Sequence, residues 1–302
     1  MPRYFFLSFL LILLFFDLVT VQIAQAVPSA QQDVWRVDLR PVAEIKVSEQ
    51  SLLKLKYYRW INNRWQISDA ETFFQTQQAE YPLIFLALGY TLTSQETTAV
   101  GHAILRKFDT TKPCRVVYWD WYSEKEIPKI RRDIRNKIAV AENAADYLAY
   151  FLRELKPQSK ACLFGFSFGC RIVCQAAEVL RVCEQRPEEL RLNIVLSGAA
   201  SDQNWFAYGQ RHGNVPAIVE KILVTHNPDD ISLRFYPLIY PFRHKPTALG
   251  VSGVPIQSVA PEYRDRFENL NVERYVGRKH ETLGHVGCAA FRSRINKYFF
   301  FE

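Results

Sequence analysis

The six cysteines of this 302-residue chain include no Cys-x-x-Cys pair and no cysteine–histidine spacing typical of zinc sites. The pattern therefore predicts neither a metal nor a cofactor, and it names no disulfide pair. Four cysteines lie in apolar strand-like runs or on a predicted helix, where small side chains are expected to be buried in the core. They are Cys114, Cys162, Cys170 and Cys174.

Internal repeats, low-complexity segments and long polar tracts are also absent, as is any linker rich in proline, glycine or serine. These absences exclude repeat architectures, extended disorder and an evident division of the chain. Hydrophobic residues make up 48% and charged residues 23%, the balance of a globular protein with a sizeable core. We therefore expect residues 27–302 to form a single domain.

A basic stripe studded with aromatic residues is missing too, although the formal net charge is +7. The basic residues are scattered along the chain, which favours solubility and weak attraction to anionic surfaces rather than nucleic-acid binding. We expect no nucleic-acid partner, and the sequence does not indicate the oligomeric state.

The N-terminal segment has the order of a secretory signal peptide. Arg3 precedes an almost unbroken apolar run over residues 4–16, and Ala24-Gln25-Ala26 offers a small-x-small cleavage site. The alternative is an uncleaved anchor, but Asp17 ends the run after about 13 residues, whereas a spanning helix needs about 20. No cysteine lies near the cut, which disfavours a lipid anchor. Residues 1–26 are predicted to be a signal peptide, and the mature chain to be exported to the periplasm or beyond the cell.

Beyond this segment, strand-like apolar runs alternate with helical patterns. Such alternation is typical of the α/β class, in which helices cover both faces of a mostly parallel sheet. Strands are predicted over residues 34–39, 53–61, 83–88, 115–118, 162–166, 192–196, 222–225 and 272–276, and helices over 97–107, 126–155, 171–183 and 281–298. The proline-rich stretch 235–263 is predicted to make an excursion above the sheet as a partial lid.

The segment Gly165-Phe166-Ser167-Phe168-Gly169 matches the pattern G-x-S-x-G between a predicted strand and a predicted helix. Strand, sharp turn and helix is the context in which this pattern forms a nucleophile elbow. The turn holds the serine in a strained backbone conformation, and the flanking glycines lack a Cβ that would clash across it. Ser167 is therefore the predicted nucleophile. The alternative is a glycine–serine loop without chemistry.

A serine hydroxyl is a weak nucleophile at neutral pH, so it needs a base and an orienting acid, which follow such an elbow in the order acid, histidine. The acid is expected after the next-to-last strand, where two aspartates occur in Asn227-Pro228-Asp229-Asp230. We choose Asp230, because Asp229 follows a proline and better fits a turn or helix-cap residue. Asp202 is a third candidate.

The base is expected beyond the last strand, where two of the six histidines lie, His280 and His285. His280 follows a predicted tight turn at the start of the last helix, whereas His285 is predicted more than a turn inside that helix. His280 is the preferred base, and His285 is the alternative.

Acyl transfer also needs an oxyanion hole, in which each hydrogen-bond donor contributes about 10²–10³ in rate. One predicted donor is the backbone N–H of Phe168, the residue after the nucleophile. The other is the backbone N–H of Tyr90 in the turn Leu88-Gly89-Tyr90, where the glycine permits close approach. The alternative for this turn is a simple strand end.

Several segments together resemble a group of uncharacterised bacterial α/β-hydrolase-like proteins. They are Val34-Trp35-Arg36-Val37, the Gly89 turn, Trp119-Asp120-Trp121-Tyr122-Ser123-Glu124-Lys125, Gly165-Phe166-Ser167-Phe168-Gly169, Asn227-Pro228-Asp229-Asp230 with Arg234-Phe235-Tyr236-Pro237, and Val276-Gly277-Arg278-Lys279-His280. The resemblance spans most of the mature chain and implies an α/β-hydrolase fold, a serine hydrolase of unstated substrate, and Ser167, Asp230 and His280 as the triad. Leu88 departs from the pattern, because histidine is expected before the glycine.

These features predict an exported serine hydrolase that cleaves a small carboxylic ester through a Ser–His–Asp triad and an acyl-enzyme. An amidase or thioesterase would use the same residues. Aromatic residues near the upper edge of the sheet would suit an apolar acyl or aryl group: Tyr90, Trp119, Trp121, Trp205 and Phe206. The other hypothesis is a non-catalytic binding protein on the same scaffold, because a fold alone does not fix function.

Overall fold

The computed structural model describes residues 32–108, 111–127, 130–182, 187–239 and 245–302, with only the backbone described at Ile130 and Arg131. The predicted signal peptide and residues 240–244 of the predicted lid lie outside these ranges. No helix within these ranges combines the length and apolarity needed to cross a membrane.

The strands of the described residues form one sheet. They are β1 (Gln32–Asp38), β2 (Lys56–Ile61), β3 (Arg64–Ser68), β4 (Leu83–Ala87), β5 (Cys114–Asp120), β6 (Lys160–Phe166), β7 (Arg191–Ser197), β8 (Lys221–His226) and β9 (Phe267–Asn271). Their order is β3-β2-β1-β5-β4-β6-β7-β8-β9. β2 pairs antiparallel with β1 and β3, and the other neighbouring strands are parallel. The predicted mostly parallel sheet is therefore confirmed.

Helices alternate with these strands and cover both faces of the sheet. They are α1 (Glu49–Leu52), α2 (Ala70–Gln75), α3 (Ser94–Leu105), α4 (Ile130–Arg153), α5 (Gly169–Val182), α6 (Ile231–Arg234), α7 (Leu249–Ser252), α8 (Glu273–Val276), α9 (Thr282–Gly287) and α10 (Ala289–Phe299), with 3₁₀ turns at Arg40–Val42, Val215–Ile218, Tyr236–Ile239, Ile256–Ser258 and Pro261–Arg266. α4 and α5 pack on one face, and α3 and α10 on the other. This is the α/β-hydrolase fold that the resemblance implies.

Successive residues of the central strands point to opposite faces, and both faces are apolar. Phe85 of β4 packs beneath α4 and α5, whereas Ile84 packs beneath α3 and α10. All five residues of β4 are buried, as expected of a central parallel strand covered on both sides. The four cysteines predicted in the core are buried and form no disulfide, which confirms that prediction.

The C-terminal part of the chain differs from the prediction in two places. The predicted strand over residues 272–276 is wrong, because β9 ends at Asn271 and the next residues form α8. β9 is an edge strand with one buried residue among its five, so it lacks the apolar run that identifies central strands. The predicted last helix is broken at Cys288, whose extended backbone separates α9 from α10.

The described part of the stretch 235–263 lies against the loop that follows β7. The backbone N–H groups of Leu249 and Gly250 donate to the carbonyls of Ser201 and Ala199 at 2.7 and 2.9 Å. Leu249 is also completely buried. This stretch is therefore attached close to the carboxyl ends of the central strands, and its action as a partial lid stays a prediction.

Candidate active site

Ser167 occupies the turn between β6 and α5 with a φ of 54°, in the left-handed region that residues other than glycine rarely adopt. A Cβ at Gly165 would lie 2.6 Å from the Cα of Cys170, and a Cβ at Gly169 would lie 1.8 Å from the carbonyl oxygen of Ala87. The sharp turn thus depends on glycine at both positions. The N–H of Ser167 donates to the carbonyl of Ser197 at 3.0 Å, which ties the elbow to β7.

The elbow lies where the connections of the sheet change direction. From β4 the chain continues to β5 on one side, and it then crosses to β6 on the other side of β4. A crevice forms outside the carboxyl ends of the strands at such a point. The Gly89 turn after β4 faces the elbow directly, because a Cβ at Gly89 would lie 3.3 Å from the Cβ of Ser167.

His280 connects Ser167 to Asp230 through two hydrogen bonds. Its Nε2 lies 2.8 Å from the Ser167 hydroxyl oxygen, and its Nδ1 lies 2.6 Å from Oδ2 of Asp230. Asp230 is completely buried, so its carboxylate orients the ring with Nδ1 as the donor and Nε2 as the acceptor. The ring of His280 also stacks on Phe166, with 4.9 Å between centroids. The structure brings together the three residues chosen from the sequence.

The two alternative acids lie elsewhere. Asp229 pairs with Arg234 at 2.8 Å on the surface, and a carboxylate oxygen of Asp202 accepts the backbone N–H of Asn204 at 3.0 Å. Asp229 is a turn residue, one of the two roles expected of it, but it is not the helix cap. Asp230 caps α6, because its Oδ1 accepts the backbone N–H of Leu233 at 2.9 Å.

The alternative base, His285, lies behind the triad and not in it. It is fully buried, and its Nδ1 lies 2.9 Å from the Thr225 hydroxyl, which is 3.2 Å from that of Ser197. Burial, with a smaller contribution from the neighbouring His280, lowers the pKa of His285 to about 3, so the ring is neutral. Sequence reasoning missed this network. The one signal for it is a hydroxyl-bearing residue near the carboxyl end of two strands, Ser197 in β7 and Thr225 in β8.

The two predicted oxyanion donors flank the nucleophile. Phe168 directly follows Ser167, Tyr90 directly follows Gly89, and their rings pack with centroids 5.9 Å apart. Among the described residues, no acceptor is hydrogen-bonded to the backbone N–H of Phe168 or of Tyr90. N–H donors that are held beside a nucleophile and lack an internal acceptor are suited to bind an oxygen that becomes negative.

The environment of the triad is enclosed. Ser167 is 7% exposed, and the side chain of His280 is also 7% exposed. Charge–dipole interactions are stronger in such surroundings than in water. In the part of the chain that is described, no cluster of three or more histidine, cysteine or acidic side chains could hold a metal ion.

No protein-family model and no curated protein sequence matches the chain. Among solved structures, the catalytic core domain of acetyl xylan esterase from Trichoderma reesei is similar at 12% identity and a TM-score of 0.39, over 72% of this chain and 95% of that one. Esterase B from Lactobacillus rhamnosis is similar at 11% identity and a TM-score of 0.40, over 88% of this chain and 84% of that one. A dienelactone hydrolase-like promiscuous phosphotriesterase from metagenomic libraries is similar at 12% identity and a TM-score of 0.38, over 81% of this chain and 92% of that one. At these values the similarity is one of general architecture.

Proposed function

We propose that this protein is an exported serine hydrolase that cleaves a carboxylic ester through an acyl-enzyme on Ser167. The observation that carries the proposal is the continuous hydrogen bonding from Ser167 through His280 to the buried carboxylate of Asp230. A general base must lie within hydrogen-bond distance of the proton that it removes, and His280 satisfies this requirement. Export is supported by the N-terminal sequence alone.

In the first half of the reaction, the hydroxyl oxygen of Ser167 bonds to the ester carbonyl carbon and its proton passes to Nε2 of His280. The carbonyl oxygen becomes negative and accepts hydrogen bonds from the N–H groups of Phe168 and Tyr90. The bond to the alcohol then breaks, and the proton on His280 moves to the leaving oxygen. Asp230 stabilises the imidazolium that forms between these two transfers.

In the second half, a water molecule gives a proton to His280 and its oxygen attacks the acyl carbon. Breakdown of the new tetrahedral intermediate releases the carboxylic acid, and the proton returns from His280 to Ser167. The reaction consumes one water for each ester, and the same residues serve both halves.

The acyl group must be accommodated by residues that reach the site. Trp119 and Phe206 are completely buried in the core and are unsuited to line an open subsite. Trp121 is almost completely buried as well, whereas Tyr90 and Trp205 are partly exposed. Of these two, Tyr90 packs on Phe168 beside the nucleophile, so it is the suggested aromatic residue that best fits contact with an apolar acyl group.

Labelling with a fluorophosphonate, which phosphonylates only an activated serine, tests the proposal. We expect the purified protein to gain one adduct by intact mass, on the peptide that contains Ser167, and Ser167→Ala to gain none. If the folded wild-type protein is not labelled, the non-catalytic binding hypothesis replaces this one. If the protein is labelled, a panel of p-nitrophenyl esters with acyl chains of increasing length would define the acyl preference.

Export has a separate test. Protein that is recovered from outside the cytoplasm should begin at Val27 by N-terminal sequencing. Recovery of the intact N-terminus in a membrane fraction would support the anchor instead.

A further inference from the structure

The segment of residues 119–125, which contributes no residue to the triad, lies against the Gly89 turn. The indole N–H of Trp121 donates to the carbonyl of Leu88 at 2.9 Å, and the hydroxyl of Ser123 donates to the carbonyl of Leu92 at 2.8 Å. Between these two points, the N–H of Thr91 donates to the carbonyl of Ser123 at 2.8 Å. The turn is therefore fastened on both sides of the predicted oxyanion donor.

The backbone of this turn is strained beside that donor. Thr91 has a φ of 80°, a region that β-branched residues rarely adopt. Such a conformation persists only where the surrounding structure over-determines it, and it is frequent at functional sites. Because Thr91 directly follows Tyr90, its fixed conformation sets the direction of the neighbouring peptide.

The side chain of Tyr90 has an anchor of its own. Its hydroxyl donates to Oδ2 of Asp133 in α4. Asp133 is completely buried, and its Oδ1 accepts the backbone N–H groups of Glu126 and Ile127 at 3.1 and 3.0 Å. A buried carboxylate needs such partners, since an unpaired one is costly. Burial and the bond to Asp133 raise the pKa of Tyr90, so its hydroxyl remains a donor.

We infer that Asp133 is a positioning residue for the oxyanion hole, holding Tyr90 so that its backbone N–H faces the acyl oxygen on Ser167. The inference depends on the proposed hydrolase function. It also accounts for Leu88, because a turn that lacks the expected histidine needs another source of rigidity. The hydrogen bonds that Trp121, Ser123 and Asp133 make to the turn supply it.

A positioning role predicts a particular kinetic signature. Preorganised donors act on the charge that develops in the transition state and not on the neutral ester. Loss of the hydrogen bond between Tyr90 and Asp133 should therefore lower kcat with little change in KM. The affinity for a trifluoromethyl ketone, which forms a tetrahedral anionic adduct with the serine, should fall by a similar factor.

Tyr90→Phe is the sharpest variant, because it removes the hydroxyl and leaves the backbone N–H. We expect kcat for p-nitrophenyl butyrate to fall about tenfold with KM within about twofold, and trifluoromethyl ketone affinity to fall about tenfold. Asp133→Asn should act in the same direction, and the double variant should lose less than the product of both losses, because the two residues act as one unit.

Tyr147→Phe is the matched control. Tyr147 is also buried on the helix that carries Asp133, and its hydroxyl donates to the carbonyl of Ile45 at 3.1 Å. Removal of this hydroxyl should change thermal stability and leave kcat unchanged.

The outcomes separate the two proposals. A wild-type protein that resists fluorophosphonate refutes the hydrolase function and this inference with it. A labelled wild type whose Tyr90→Phe variant keeps its kcat, or changes only in KM or in thermal stability, overturns the positioning role and leaves the hydrolase intact. If Tyr90→Phe does not fold, Asp133→Asn is judged by the same criteria.

Discussion

The carboxylate of Asp230 holds the ring of His280 and begins a helix at the same time. Its Oδ2 lies 2.6 Å from Nδ1 of His280, while its Oδ1 accepts the backbone N–H of Leu233 at 2.9 Å. Asparagine is as good an N-cap as aspartate, but it cannot supply the negative charge that stabilises an imidazolium. A single substitution can therefore separate the two roles.

Asp230→Asn should lower kcat by about 10²–10⁴, because the ring loses its charged partner and its tautomer is no longer imposed. The free energy of unfolding should change by no more than about 1 kcal/mol, since the cap is preserved. Asp229→Asn is the control, because Asp229 pairs with Arg234 on the surface. Steady-state hydrolysis of p-nitrophenyl esters measures both variants. An equal loss of activity in both would contradict the assignment of the acid.

His280→Ala and His285→Ala should fail in different ways. His280→Ala should abolish fluorophosphonate labelling, because Ser167 loses its base. His285→Ala should still be labelled but lose about 2–4 kcal/mol of stability, since it leaves a buried cavity and removes one hydrogen-bond partner of Thr225. Labelling by intact mass and urea unfolding distinguish the two. Loss of labelling in His285→Ala alone would make His285 the base.

Gly169→Ala should prevent correct folding or cost at least about 3 kcal/mol, because its Cβ would collide with the carbonyl oxygen of Ala87 at 1.8 Å. Gly287→Ala is the matched control at the end of α9, where a Cβ would meet no atom of the described chain within 4 Å. Alanine should stabilise that helix by up to about 1 kcal/mol. Urea unfolding measures both changes, and a folded Gly169→Ala with unchanged stability would argue against the packing of the elbow on β4.

Acid should destabilise the fold through buried histidines. His212 is fully buried beside Trp205 and Phe206, and burial, with the charges of Arg211 and Arg171, lowers its pKa to about 3. An unfolded histidine titrates near 6.5, so between these values the unfolded state binds a proton that the folded state does not. The stabilisation is complete above about pH 6.5 and is lost as the pH falls.

For His212, the loss between pH 7 and pH 5 should be about 2 kcal/mol. His212→Gln removes the titrating group, so its free energy of unfolding should fall by about 2 kcal/mol less than that of the wild type over the same interval. Urea unfolding at the two pH values measures the difference. Parallel pH dependence in both proteins would show that His212 is not neutral in the folded state.

Local signals in the sequence identify the parts of the fold that are buried on both faces. The run Leu83–Ala87 lies at the centre of the sheet, and every residue of it is buried. β9 does not meet this criterion, because three of its five residues, Glu268, Asn269 and Asn271, are polar. Burial on one face leaves a weaker pattern, and an edge strand of five residues leaves almost none.

The elbow could be predicted from the sequence, because strand, glycine, serine, glycine and helix are consecutive and their steric requirement is local. The sequence also limited the base to two histidines and the acid to three aspartates. Which of these residues meet Ser167 depends on how the whole chain folds, since His280 lies 113 residues from the serine and 50 from Asp230. Parallel pairing brings the carboxyl ends of β6, β7 and β8 to one edge, and the loops beyond them converge there. Which side chain then faces the serine depends on the direction of each loop, and short sequence patterns do not encode that direction.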